Sequence, residues 1–153
     1  LVQTPPARTI FGDETRYTGL ARSVVYRWFT DPAARAVYPR EDHDTQSRAF
    51  VAGARAVHAM HGPHSTAAAI VDALLVESAE FTALWEQHEV SSTPEYEKRI
   101  QHPEVGVVVT QCQRLVDPSQ GQSLLVLTAT PGTESYEKLQ LLCVIGGRTD
   151  TRR

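Results

Sequence analysis

The stretch "HAMHGPH", residues 58–64, sets three histidines three residues apart. Neutral imidazoles are common metal ligands, and His58 and His61, one helical turn apart, could share an ion. Such a site needs three or four ligands whose rings are held by further hydrogen bonds. Here His64 falls beyond Gly62-Pro63, in a loop, and no nearby acidic residue completes the set. The same residues suit a helix C-terminus, where imidazole favours the negative end of the dipole. We therefore expect a helix end and no metal.

The other chemically capable side chains are scattered. His88 and His102 each read either as a buried, hydrogen-bonded histidine or as a polar group on a pocket wall. Together with Glu104 they are the candidates for an unrecognised enzyme. No Gly-x-Ser-x-Gly elbow, phosphate-cradling glycine loop or Cys-x-x-Cys is present. Cys112 can be paired on paper with His102, but its mid-strand, apolar setting disfavours the thiolate. Cys143 also lies in an apolar stretch, and both are expected as free thiols. These residues predict a protein that is not an enzyme and carries no cofactor.

Hydrophobic periodicity supplies the elements that position these groups. Pro5 and Pro6 start a short helix through Phe11, closed by Gly12 and Asp13. Leu20–Phe29 has a helical period, and Asp31 with Pro32 begins a short helix running to about Tyr38, stopped by Pro39. In the next helix Phe50, Val51, Ala54, Val57 and Met60 or His61 form a stripe, with Gly62 as the left-handed terminator. Ser65 caps a helix that presents Ile70, Val71, Leu74 and Leu75. Ser78 caps another, with Phe81, Leu84, Trp85 and His88 at i, i+3, i+4 and i+7. Pro94 ends the helical half. "YEKRIQH", "EVGVVVTQCQRLV" and "QSLLVLTATP" then read as strands separated by His102-Pro103 and "DPSQGQ", before a final helix from Glu134 with Tyr136, Leu139, Leu142 and Cys143 on one side.

Segregated helices and antiparallel strands predict an α+β fold in a single domain, residues 1–153. The 153 residues suffice for one core, and 41% hydrophobic with 22% charged residues is an ordinary globular composition. No apolar run spans a bilayer, so no membrane partner is expected. A net charge of −3, with one short basic cluster at Arg148–Arg153, argues against nucleic-acid binding by this piece alone.

Four stretches, in this order and spacing, resemble one family: "FTDPAARAVYP", "SAEFTALWEQHEV", "KRIQHPEVGVV" and "TATPGTESYEKLQLL". They look like the ligand-binding domain of the MmyB-like transcription regulators. Asp31, Pro32, Arg35 and Tyr38 stand at the family's DPxxRxxY positions. Phe81, Trp85 and His88 match its EFxxLWxxH helix, and Lys98, His102, Pro103 and Gly106 match its strand turn. One departure is Arg40-Glu41, where an Asp-Trp often follows the Tyr-Pro.

The resemblance implies a bacterial, cytoplasmic regulator of a kind abundant in actinobacteria. Its helix-turn-helix of XRE type, and the first strand of a PAS-like fold, would lie upstream of Leu1, so that DNA is contacted only through that absent domain. It further implies a PAS-like antiparallel sheet with helices on one face, a homodimer, and a small apolar or fatty-acid-like ligand. The residues so implicated are Trp28, Phe29, Tyr38, Phe50, Phe81 and Trp85 from the helices, Val107 and Val126 from the strands, and His88 and His102. Bottom-up, the same apolar residues, with Val109 and Leu124, make either a filled core or a lined pocket, and a dimerisation module with a solid core is the rival expectation.

Overall fold

The computed structural model describes residues 2–89, 97–117 and 122–150. The helices are α1 (Pro5–Phe11), α2 (Val24–Thr30), α3 (His43–His61), α4 (Thr66–Glu77), α5 (Ala79–Glu86) and α6 (Glu134–Asp150). Between α5 and α6 lie the strands β1 (Glu97–His102), β2 (Gly106–Asp117) and β3 (Gln122–Thr128). Helices and one antiparallel sheet of order β1-β2-β3 make the fold α+β, as the periodicity predicts. Pro94, the turn expected from "DPSQGQ" at 118–121 and the tail from 151 lie outside the described residues. Among the described residues no helix is long and apolar enough to cross a membrane. Contacts divide the chain into two compact units, one of residues 1–14 with 94–153 and one of residues 15–93.

In the first unit, β1 and β2 meet around the loop Pro103–Val105, with His102 opposite Gly106. Gly106 takes φ 72°, which a residue with a Cβ adopts only under strain, so the glycine fixes this turn. The pleat puts Ile100, His102, Val108 and Thr110 on one face, and these are buried. Val107, Val109, Leu124 and Val126 share the opposite face, where Val107 and Val126 are half-buried and Val109 and Leu124 are exposed. The face read as inward from the valines is therefore the more open one. Three consecutive valines, 107 to 109, conceal the alternation, while the buried face carries the polar Thr110 and His102.

β3 pairs with β2 only from Gln111 onward, which leaves the first half of β2 with an open edge. Helix α6 closes that edge with side chains. Ser135 Oγ accepts from the Val109 N–H at 2.9 Å, and Lys138 Nζ donates to the Val107 carbonyl at 3.0 Å. Backbone groups at a strand edge need such partners when no further strand is present. Farther along, α6 packs against α1. A Cβ on Gly146 would stand 2.6 Å from Thr9 Oγ1 and 3.0 Å from the Pro5 carbonyl oxygen, so glycine permits this approach.

The second unit is helical. Ser23 Oγ accepts from the Tyr26 N–H and starts α2. The helical period read through Leu20–Phe29 is thus broken into a 3₁₀ turn, Gly19–Arg22, and α2. Asp31 caps as expected, its Oδ1 accepting from the Ala33 N–H at 2.9 Å, but Pro32–Val37 forms a 3₁₀ helix. Helix α3 ends at His61, as the histidine spacing suggests. Gly62 has φ 73° with ψ −178°, positive as expected but outside the left-handed helical well. The α3 stripe stops early, since Met60 is 77% exposed. Ser65 and Ser78 cap α4 and α5 as read, accepting from the Ala68 and Phe81 N–H groups. The core comprises Trp28, Phe29, Val51, Val71, Leu74, Phe81 and Leu84.

Candidate ligand-binding site

The six aromatic residues singled out on the helices do come together. Trp28 is the hub. Tyr38, His43 and Phe50 each meet its indole edge-on, with ring centroids 5.6, 5.2 and 5.4 Å away. Phe29 meets Phe81 edge-on at 5.1 Å, and Phe81 stacks on Trp85 at 5.5 Å. Such offset and T-shaped contacts satisfy the ring quadrupoles and add to the burial term. Trp28, Phe29 and Phe81 are buried, whereas Tyr38, Phe50 and Trp85 are half-buried at the margin of the cluster.

A closed ring of hydrogen bonds encloses the hub. Trp28 Nε1–H donates to Ser47 Oγ at 2.8 Å, and the Ser47 hydroxyl donates to Glu80 Oε1 at 2.7 Å. Arg35 Nη2 donates to Glu80 Oε2 at 2.6 Å, and Arg35 Nε returns to the Trp28 carbonyl at 2.9 Å. The guanidinium also lies 5.0 Å from the Trp28 ring centroid. The loop joins α2, the 3₁₀ helix after it, α3 and α5. A buried indole N–H without a partner is costly, and this arrangement supplies one while neutralising Arg35. His43 adds to it, its Nε2–H donating to the Tyr38 carbonyl at 3.1 Å.

Two further contacts fasten the margins. The Tyr26 hydroxyl donates to Glu77 Oε2 at 2.7 Å. That bond, with burial and the carboxylate charge behind it, pushes the phenol above its ordinary value. Arg27 is buried, donates to the Ala21 carbonyl and lies 3.9 Å from the Tyr17 ring centroid. Hydropathy reading misses Ser47, Gln46, Arg27 and His43. For Ser47 and His43 the signal is spacing, since they stand on α3 with Phe50 and Val51, on the turns that meet Trp28.

The histidines separate. His88 is not on the Phe81–Trp85 helix face as its spacing suggests. It follows the last turn of α5 with φ 56°, the left-handed conformation that ends many helices, and it is exposed. His102 is the buried, hydrogen-bonded histidine. Its Nδ1 accepts from the Glu104 N–H and its Nε2–H donates to the Thr9 carbonyl, each at 3.2 Å, which defines the tautomer. It lies on the sheet face opposite Val107 and Val126. His58 packs edge-on against Trp85 at 6.0 Å. Among the described residues no group of three or more His, Cys, Asp or Glu is placed to hold a metal. Cys112 and Cys143 are free thiols, and burial pushes the Cys112 thiol up, with nearby Lys98 opposing it.

The family model of the MmyB-like transcription regulator ligand binding domain matches residues 1–142, and the chain belongs to that family. No curated protein and no solved structure matches it. Of the residues that carry the resemblance, some belong to the frame just described, while His88 is exposed and Lys98, His102, Pro103 and Gly106 lie on β1, β2 and the loop between them. Asp31 caps the 3₁₀ helix, Arg35 and Glu80 close the ring around Trp28, and Phe81 and Trp85 stack on one another.

Proposed function

We propose that the chain is the sensor domain of a bacterial helix-turn-helix regulator of XRE type, cytoplasmic and homodimeric, whose two units act as one domain. It takes a small apolar or fatty-acid-like ligand. Family membership supports the regulatory ligand-binding role. The observation behind an apolar ligand is the open margin of the aromatic cluster. Tyr38, Phe50 and Trp85 keep part of their surface in solvent beside a buried Trp28 and Phe81. A guest covering those rings removes apolar surface from water and rigidifies the helices that carry them. Differential affinity for one packing of the helices biases the geometry presented to paired DNA-binding domains, and operator half-site spacing reads that geometry.

Native mass spectrometry of the purified chain, with thermal unfolding across a fatty-acid series, tests this reading. A ligand held at about 100 times its Kd stabilises by about 2.7 kcal/mol. A chain that carries no lipid and unfolds identically with every fatty acid refutes it.

A second reading, a dimerisation module with a solid core, is favoured by apolar exposure in the first unit. Leu141 and Val144 stand exposed three residues apart on α6, and Leu115, Val116, Leu124 and Leu125 are exposed on β2 and β3. It predicts concentration-dependent dimers that no apolar ligand stabilises.

A further inference from the structure

We propose that Arg55 and Trp85 form the seat for the carboxylate of an acidic apolar ligand. The inference rests on the apolar-ligand reading above and gives that ligand a charged end. Arg55 is half-buried on α3, and its guanidinium carbon lies 4.1 Å from the centroid of the Trp85 ring. One Nη donates to the Trp85 carbonyl at the end of α5. Its Nε is buried and has no hydrogen-bond partner. Arg35 has Glu80, and Arg48 has Asp44 and Glu89, but among the described residues no carboxylate lies within ion-pair reach of Arg55.

A guanidinium is charged at every accessible pH and carries five N–H donors, so capping one carbonyl leaves most of its capacity unused. A buried N–H such as that of Nε ordinarily has a hydrogen-bond partner. A carboxylate is the group that fits what remains, taking Nε–H and a neighbouring Nη–H as a charge-assisted fork. The indole beneath the guanidinium is itself half-buried, backed by the buried Phe81 ring, so an apolar body attached to that carboxylate finds the open part of the Trp85 face. His58, one turn along α3, brings a second polar ring to the edge of the same indole.

The test uses the whole chain, labelled with ¹⁵N, and follows the Arg55 Nε–H resonance, identified by its loss in Arg55→Lys. Octanoate is expected to shift that resonance, while methyl octanoate and equimolar chloride do not. In thermal-shift titrations palmitate should bind at least about 10-fold more tightly than methyl palmitate, the margin of one charge-assisted pair. Arg55→Gln should abolish that preference and Arg55→Lys retain part of it. A resonance that octanoate leaves in place, or that chloride moves equally, overturns the seat whether or not the glutamine variant folds. Equal binding of palmitate and its ester leaves the apolar-ligand reading standing and removes Arg55 from it. A resonance that octanoate shifts, with palmitate binding no tighter than octanoate, keeps the seat and removes the apolar chain.

Discussion

Ser47→Ala isolates the polar ring around Trp28. The hydroxyl is buried, accepts from the indole N–H at 2.8 Å and donates to Glu80 at 2.7 Å. Removing it strands a fully buried donor, because Trp28 is only 1% exposed. That loss costs about 2 kcal/mol, in the middle of the range for an unsatisfied buried group. Glu80 contributes little more, since its side chain is 43% exposed and water replaces the lost donor. Alanine regains about 0.5 kcal/mol of helix propensity at this α3 position. The net expectation is a loss of about 1.5 kcal/mol, or a fall of about 1 M in the urea midpoint. Both tryptophans, Trp28 and Trp85, belong to the helical unit, so tryptophan fluorescence reports its unfolding directly. The control is a cycle with Trp28→Phe, which has no N–H to strand. In that background Ser47→Ala should cost at least about 1 kcal/mol less. Equal losses in both backgrounds, or a single-mutant loss below about 0.5 kcal/mol, would show that the ring is incidental to stability.

Three other outcomes follow from the first unit. Gly146→Ala should loosen α1 from α6. A Cβ placed 2.6 Å from Thr9 Oγ1 costs about 1–3 kcal/mol against a propensity gain of about 1, read as faster amide exchange across Pro5–Phe11, and unchanged exchange would contradict the close approach. The Lys138 hydrogen bond, with its charge, holds the Glu134 carboxyl below its ordinary 4.5. That depression makes a small contribution to stability, present above the ordinary value and lost as pH falls through the lowered one. Lys138→Met should raise the Glu134 midpoint in an NMR titration, and an unmoved midpoint refutes the pairing. Burial raises the Cys112 thiol, so iodoacetamide at pH 8 should alkylate it more slowly than a free cysteine, with equal rates counting against a shielded strand position.

The elements were legible where local chemistry is decisive. Ser65 and Ser78 precede runs of helical period and do cap α4 and α5, because a side-chain oxygen in extended backbone meets the first free N–H groups whatever the surroundings. Strand faces were less legible. Alternation assigns a face only when polar and apolar residues alternate, and Val107–Val109 offers no contrast. His88 misled for a related reason: helical spacing counts it onto the Phe81 face, but the helix stops at Glu86 and the chain reverses handedness two residues later. The aromatic cluster was readable from bulk and period. The ring of Ser47, Glu80 and Arg35 was not, since spacing can place a polar residue on a helix face but does not name its partner, and these pairs span 33 and 45 residues of sequence.

That ring bears on where ligand discrimination resides. A side chain whose donors and acceptors are already committed within the fold has little capacity left for a guest. Arg35 gives its Nε and one Nη to Trp28 and Glu80, and the Trp28 N–H is spent on Ser47. Arg35 and Glu80 therefore belong to the frame: with Ser47 they set the helices of this unit around a buried indole. On the proposed apolar-ligand reading, ligand choice falls to groups at the margin, which in this chain are the half-buried faces of Phe50 and Trp85 and the buried Nε of Arg55. Substitution at the margin should alter which ligand binds with little effect on unfolding, whereas substitution in the ring should do the reverse. A ring variant that unfolds normally but exchanges one ligand class for another would show that frame and recognition are not divided in this way.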